Sequence, residues 1–323
     1  MEGLQLIATG GALPGRLVTN DDLSRLVDTS DEWITTRTGI RQRRFCGEGE
    51  SATTLAVTAA RQALERSGLS AAQIGCCVCA TLSGEYASPS MACLVQKELG
   101  LARDIPVLDV NAACSGFIYA AAVARGLLAM RPGDARRYAL VIGCAQLSRL
   151  MDMTDRNTCV LFGEGPGAAV FELAPDVEFA VDLGARGDFA IETPPNGPIR
   201  MDGKAVFRFA VEALPRTLHA VLEATRHTLD EVDWVVCHQA NSRIIDHCVK
   251  KLKADPAKFY KNMDRYGNTS AASVPVALHE LAEQGRLQPG MHVACVGFGG
   301  GLTWGGMAFT VGETLNAHRA EQR

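Results

Sequence analysis

Cys114 stands in the stretch DVNAACSGFIYAAAV, between IPVLDV, which reads as a strand, and an alanine-rich run that reads as a helix. At such a junction the free N–H groups and dipole of the first helical turn favour a thiolate, so Cys114 is read as a nucleophile of lowered pKa. His238, in VVCHQANSRIIDHCVKKL, leaves a strand at the corresponding end in the second half, on the same side of the molecule, with Asn241 and a new helix just after it. Asn268, in RYGNTSAASVPVALHEL, occupies a polar turn before another helix, where its amide suits an N-cap and a substrate hydrogen bond equally. A nucleophile, a proton or hydrogen-bond partner and an amide donor make a set suited to thioester chemistry.

Other stretches compete for attention. The chain has 11 cysteines, an odd count scattered through apolar runs, which reads as reduced core thiols rather than a disulfide framework. The pair Cys76 and Cys79 in IGCCVCAT has zinc-like spacing but no second pair or histidine nearby, so no metal site is expected there. The run GFGGGLTWGGMAFTV from Gly297 leads into a β-rich segment instead of a helix, which argues against a dinucleotide site. Its glycines let a backbone N–H approach a reacting carbonyl and so complete an oxyanion hole with the N–H of Cys114. Trp33 lies among Arg37, Arg41, Arg43 and Arg44, a combination that stacks on a base and pairs with phosphates, as a coenzyme A handle requires. Arg243, Lys250 and Lys251 share one helix and Arg208 lies on another, a patch able to dock an acidic carrier protein.

These residues need a frame that brings them together, and the chain contains a duplication. ALERSGLSAAQIGCCVCA aligns without gaps on VLEATRHTLDEVDWVVCH, Ala80 falling on His238 at an offset of 158 residues. A second pair, LLAMRPGDARRYALVIG and LAEQGRLQPGMHVACVG, matches through its Pro-Gly turn at an offset of 157. A repeat of half the chain is too long for a solenoid and right for a duplicated α/β domain, with halves 1–172 and 173–323. Strands alternate with helices in each, so sheets covered by helices are expected, with ligands at the carboxyl ends of strands. The 323 residues carry a net charge of −4, which supplies no overall attraction to nucleic acid or anionic membranes. The amino terminus lacks a signal-peptide pattern, and the longest helix-like apolar stretch, Phe117 to Met130, is too short to span a bilayer, so a cytoplasmic protein is expected.

Taken in order, TSDEWITTRTGIRQRRF, NAACSGF, HQANSRI, GNTSAAS and GFGGGLTWG resemble the β-ketoacyl-acyl carrier protein synthase III family over nearly the whole chain. The resemblance implies a thiolase fold of five αβαβα layers, a homodimer, and no cofactor beyond coenzyme A thioester as substrate. It implies that Cys114 takes an acyl group from acyl-CoA, and that His238 with Asn268 holds the thioester carbonyl of malonyl-acyl carrier protein during decarboxylation, in the first condensation of fatty acid synthesis. By the same matching, Gly300 supplies the second oxyanion N–H. Thr29, Trp33, Arg37, Arg149, Gly203 and Asn241 become coenzyme A contacts, Phe298 and Ser88 acyl-pocket residues, and Arg208, Arg243, Lys250 and Lys251 the carrier patch. Ser88 stands where relatives often carry a larger residue, and Asp202 and Lys204 lie beside the channel, so the primer is open to longer or branched chains. A hydroxymethylglutaryl-CoA synthase or a condensing enzyme or acyltransferase of secondary metabolism is the alternative within the fold. A papain-like hydrolase shares the order Cys, His, Asn but needs a different local signature and no duplication.

Overall fold

The computed structural model describes residues 2–316. The chain opens with β1 (Glu2–Gly11), followed by the ribbon β2 (Arg16–Thr19) and β3 (Gln42–Phe45), which brackets α1 (Asn20–Ser24) and α2 (Asp31–Thr38). The first half continues through α3 (Ala52–Ser67), β4 (Ile74–Ala80), α4 (Met91–Leu99), β5 (Val107–Val110), α5 (Gly116–Ala129), β6 (Tyr138–Gly143), α6 (Arg156–Cys159) and β7 (Gly167–Pro175). The second runs β8 (Phe179–Asp188), the short β9 (Ile191–Glu192) and β10 (Arg200–Met201), α7 (Gly203–Thr225), β11 (Trp234–Cys237) and α8 (Ser242–Leu252). It ends with α9 (Met263–Tyr266), α10 (Ser273–Glu283), β12 (His292–Gly299) and β13 (Gly301–Thr310).

The strands form two main sheets, ordered β1-β7-β6-β4-β5 and β8-β13-β12-β11. The orders correspond strand for strand, and a single parallel bridge from Val235 to Phe259 beyond β11 occupies the place of β5. Position 172, where the sequence repeat suggests a boundary, lies inside β7, and the second sheet begins at Phe179.

Layering follows from which faces are apolar. In β4 every residue is buried, and side chains alternate between faces. Cys76, Val78 and Ala80 join the core shared by both sheets, whereas Cys77 and Cys79 join the core under α3 and α4. Cys76 and Cys79 therefore face opposite sides of the sheet and cannot grip one ion. Helix α5, GFIYAAAVARGLLA, is apolar nearly all round, as a helix sandwiched between sheets must be. With α10 it fills the space between the sheets, while α7 and α8 cover the outer face of the second. The result is five layers, αβαβα, the thiolase fold.

The candidate active site

Two short turns meet where the halves touch. Asn111–Phe117 and Asn268–Val274 repeat the same backbone at an offset of 157. In each, an Asn Oδ1 accepts a hydrogen bond from the N–H two residues on, Ala113 at 3.1 Å and Ser270 at 2.8 Å. Those two residues both have positive φ, 46° and 54°, and each turn leads into a helix of the central layer, α5 or α10. This corrects one expectation from sequence: the structural counterpart of Cys114 is Ala271, whereas His238 follows β11, the counterpart of β4, with Ala80 at the equivalent place. The three reactive residues thus come from two different loop positions of the repeat.

Cys114, His238 and Asn268 nevertheless line one cavity of about 640 Å³. Cys114 is half-buried, facing that space but surrounded by protein. Burial pushes its thiol up to about 11; the Ser270 hydroxyl, donating to Sγ at 3.4 Å, and the Cys114 backbone N–H pull the other way. Position before a helix therefore does not make a resting thiolate, contrary to the sequence expectation, because loss of solvent outweighs the local donors. The turn is pinned by Ser115 Oγ and Thr303 Oγ1, 2.8 Å apart, both donating to or sharing the Ala112 carbonyl.

His238 is almost fully buried, and loss of solvent holds its ring down at about 3, so the imidazole is neutral near pH 7. Its Nδ1 lies 2.6 Å from Ser273 Oγ, which itself accepts from the Gln239 N–H at 3.3 Å. When the Ser273 hydroxyl donates to Nδ1, the neutral ring carries its proton on Nε2 and presents it as a hydrogen-bond donor. The Phe298 ring packs edge-on against His238 at 5.3 Å. Asn268 is locked by its backbone N–H to the Leu161 carbonyl at 2.8 Å and by the Gly163 N–H to its own carbonyl at 2.9 Å. Because Oδ1 is taken by Ser270, the side chain offers its NH2 to the cavity.

The floor is made by Gly299 and Gly300 at the β12–β13 turn. A Cβ on Gly299 would lie 2.5 Å from the Cys114 nitrogen, so only glycine lets this strand end reach the nucleophile. The deep wall is apolar, with Leu82, Leu147, Phe162 and Ile199.

Both halves match models of one family: residues 108–187 match 3-oxoacyl-[acyl-carrier-protein] synthase III, and residues 222–311 match its C-terminal domain. A β-ketoacyl-[acyl-carrier-protein] synthase III of Clostridium botulinum is 43% identical over 326 aligned residues, covering 95% of this chain and 98% of the relative. The chain belongs to the β-ketoacyl-acyl carrier protein synthase III family. The crystal structure of the Aquifex aeolicus synthase III superposes with a TM-score of 0.90 at 41% identity, covering 95% of this chain and 100% of that one. A priming β-ketosynthase of the R1128 polyketide pathway superposes at 0.88, with 32% identity and 96% of each chain covered.

Around this synthase III site, Trp33, Arg37, Gly203 and Asn241 lie on the cavity wall. Asn241 caps α8, its Oδ1 accepting from the Arg243 N–H at 2.9 Å, and its NH2 donates to the Arg37 carbonyl at 3.0 Å, tying α8 to α2. At Gly203 an added Cβ would meet nothing nearer than 3.9 Å, so its surroundings leave room for a ligand. Thr29 and Arg149 are not on the wall. The arginines set on the Trp33 ring are Arg37 and Arg156, with guanidinium carbons 4.8 and 5.1 Å from its centre. Arg156 was not among the sequence-read contacts; no sequence signal links it to Trp33, and only folding brings the two together. Ser88 is exposed and outside the cavity of its own chain. Arg208, Arg243, Lys250 and Lys251 are exposed on α7 and α8, whose first turns contribute Val206, Phe207 and Ile244 to the cavity wall. Ser270, Ser273 and Arg156 are the polar neighbours that sequence reasoning missed.

Proposed function

We propose that this synthase III performs a decarboxylative Claisen condensation in which Cys114, His238 and Asn268 divide the work. The reading rests above all on the convergence of these side chains with the Gly299–Gly300 turn in one cavity. In the first half-reaction Cys114 Sγ attacks the acyl-CoA carbonyl, the C–S bond to coenzyme A breaks, and the thiol proton leaves with the coenzyme A sulfur. The tetrahedral oxyanion sits at the N–H groups of Cys114 and Gly300.

In the second half-reaction, malonyl-acyl carrier protein loses CO2 and the C–C electron pair becomes an enolate. Its oxygen accepts hydrogen bonds from His238 Nε2–H and the Asn268 NH2, two neutral donors preorganised as charge develops. The enolate carbon attacks the acyl-Cys carbonyl, Cys114 sulfur leaves as thiolate, and it takes up one proton to restore the enzyme. Coenzyme A is substrate in this scheme and no resident cofactor takes part.

Trp33 with Arg37 and Arg156 offers a stacking and phosphate-pairing surface for the coenzyme A nucleotide, and the α7–α8 cations offer docking charge for the carrier. The protein acts in the cytoplasm as a homodimer in this reading. β5 is a sheet-edge strand with all four residues half-buried, suited to pairing with its copy. Asp109 of β5 accepts from the Met91 and Ala92 N–H groups at 2.7 and 2.8 Å, which sets the preceding loop with Ser88 beside that edge. Ser88 would then face the partner's acyl pocket, and its small size favours longer or branched primers.

Mass spectrometry of the purified protein with acyl-CoAs of graded length, with and without malonyl-acyl carrier protein, tests the scheme. Acylation on Cys114 followed by a β-ketoacyl-carrier product is expected, with neither step in Cys114→Ala. Condensation by Cys114→Ala would overturn the nucleophile assignment. Acylation without elongation would instead indicate a transferase with another acceptor.

A further inference from the structure

About one strand length from the nucleophile, the fold gathers three potential metal ligands that belong to no part of the condensing site. Glu178 directly precedes β8, His227 follows the end of α7, and His292 opens β12. One ligand atom from each lies within 4.8 Å of the others. His227 Nε2 is 2.6 Å from Glu178 Oε2, and the two imidazole rings stand 4.2 Å apart between centres. The three line a small separate cavity of about 10 Å³, the size of one water or one ion.

We propose that Glu178, His227 and His292 form a zinc-class divalent metal site that staples the far end of the second sheet. Two imidazoles and a carboxylate are the donor set of borderline divalent ions, with the fourth position left to water. Bonds of about 2.0–2.1 Å to tetrahedral ligands place donor atoms roughly 3.4 Å apart, so closure needs only side-chain adjustment.

The backbone around the ligands is already anchored. The His227 N–H donates to the Leu222 carbonyl at 3.0 Å, and the His292 N–H to Asp233 Oδ2 at 2.8 Å. His292 also has an outer hydrogen-bond partner of the kind that orients metal-bound histidines, and His227 has a carboxylate nearby. Thr310 Oγ1 is 3.4 Å from His292 Nδ1, and Glu231 Oε2 is 4.0 Å from His227 Nδ1. Glu231 is itself held by the Thr228 N–H at 2.7 Å and hydroxyl at 2.8 Å. On binding, His227 Nε2 exchanges its contact with Glu178 Oε2 for a bond to the metal, while Nδ1 stays on the side of Glu231.

β12 begins at His292 and ends at Gly299 beside Cys114, so at about 3.4 Å per residue the site lies roughly 25 Å from the nucleophile. Its role is stabilising. The test is titration of chelator-treated full-length protein with Co2+, read by visible absorption, and with Zn2+, read by the melting temperature. One Co2+ per chain with nitrogen and oxygen ligation and no thiolate charge-transfer band is expected, with a Zn2+-dependent rise in melting temperature.

His227→Gln and His292→Gln should each weaken Co2+ binding at least ~100-fold and remove the Zn2+ shift. Condensation activity, whose residues these substitutions do not touch, reports that each variant has folded. Absence of Co2+ binding, a thiolate signature, or binding unchanged in folded variants would each overturn the site.

Discussion

At the scale of single residues, chemistry is set by neighbours distant in sequence. A Cys114 thiol at about 11 means that the thiolate fraction rises tenfold per pH unit below that value. Its alkylation by iodoacetamide should therefore climb with unit logarithmic slope from pH 7 to 10 without a plateau; a plateau near pH 7 would mean a resting thiolate. Ser270→Ala removes a donor to Sγ and should slow alkylation at fixed pH about 2- to 10-fold, the worth of one hydrogen bond. Ser273→Ala frees His238 Nδ1 and lets the ring take the wrong tautomer. It should lower malonyl-carrier decarboxylation roughly tenfold while sparing acylation of Cys114, measured as separate half-reactions. Equal losses in both would assign Ser273 a general structural role. The identities of Cys114, His238 and Asn268 were legible because each sits in a distinctive motif at an element end. Ser270, Ser273 and Arg156 were not, because a serine in a polar turn or an arginine beside a short helix looks the same with or without a partner across the fold.

At the scale of elements, the site depends on how closely β12 and the Cys114 turn approach. Gly299→Ala places a methyl 2.5 Å from a backbone nitrogen, which must move. Displacement of the nucleophile by about 1 Å should cost acylation about 100-fold, as single-turnover acylation would show; near-normal acylation would mean that the turn yields cheaply. Strands β4, β6 and β11 and helix α5 could be read from apolar runs and polar turns, since periodicity is local information. The pairing of loops could not. Similar strand-helix junctions made His238 look like the counterpart of Cys114, and only the shared turn at Asn111 and Asn268, with its positive φ and Asx hydrogen bond, reveals the true equivalence.

At the scale of the whole molecule, the duplication places two equivalent turns back to back between the sheets and leaves α7 and α8 outside with their cations exposed, the surface proposed for the carrier. Arg243→Glu should raise the KM for malonyl-carrier protein several-fold at low salt with acyl-CoA kinetics unchanged, and the difference should shrink as salt rises. An unchanged KM would remove Arg243 from the docking surface. By itself the sequence determined the duplicated α/β class and the family, and it singled out Cys114, His238 and Asn268, which the fold brings to one cavity, because motif chemistry and apolar periodicity are carried by neighbouring positions. Tertiary structure alone decided that Arg156 stacks on Trp33, that burial raises the Cys114 thiol and keeps the His238 ring neutral, and that Glu178 meets two histidines. Each of these depends on burial or on contact between segments far apart in the chain, and desolvation and side-chain partners exist only once the layers have packed.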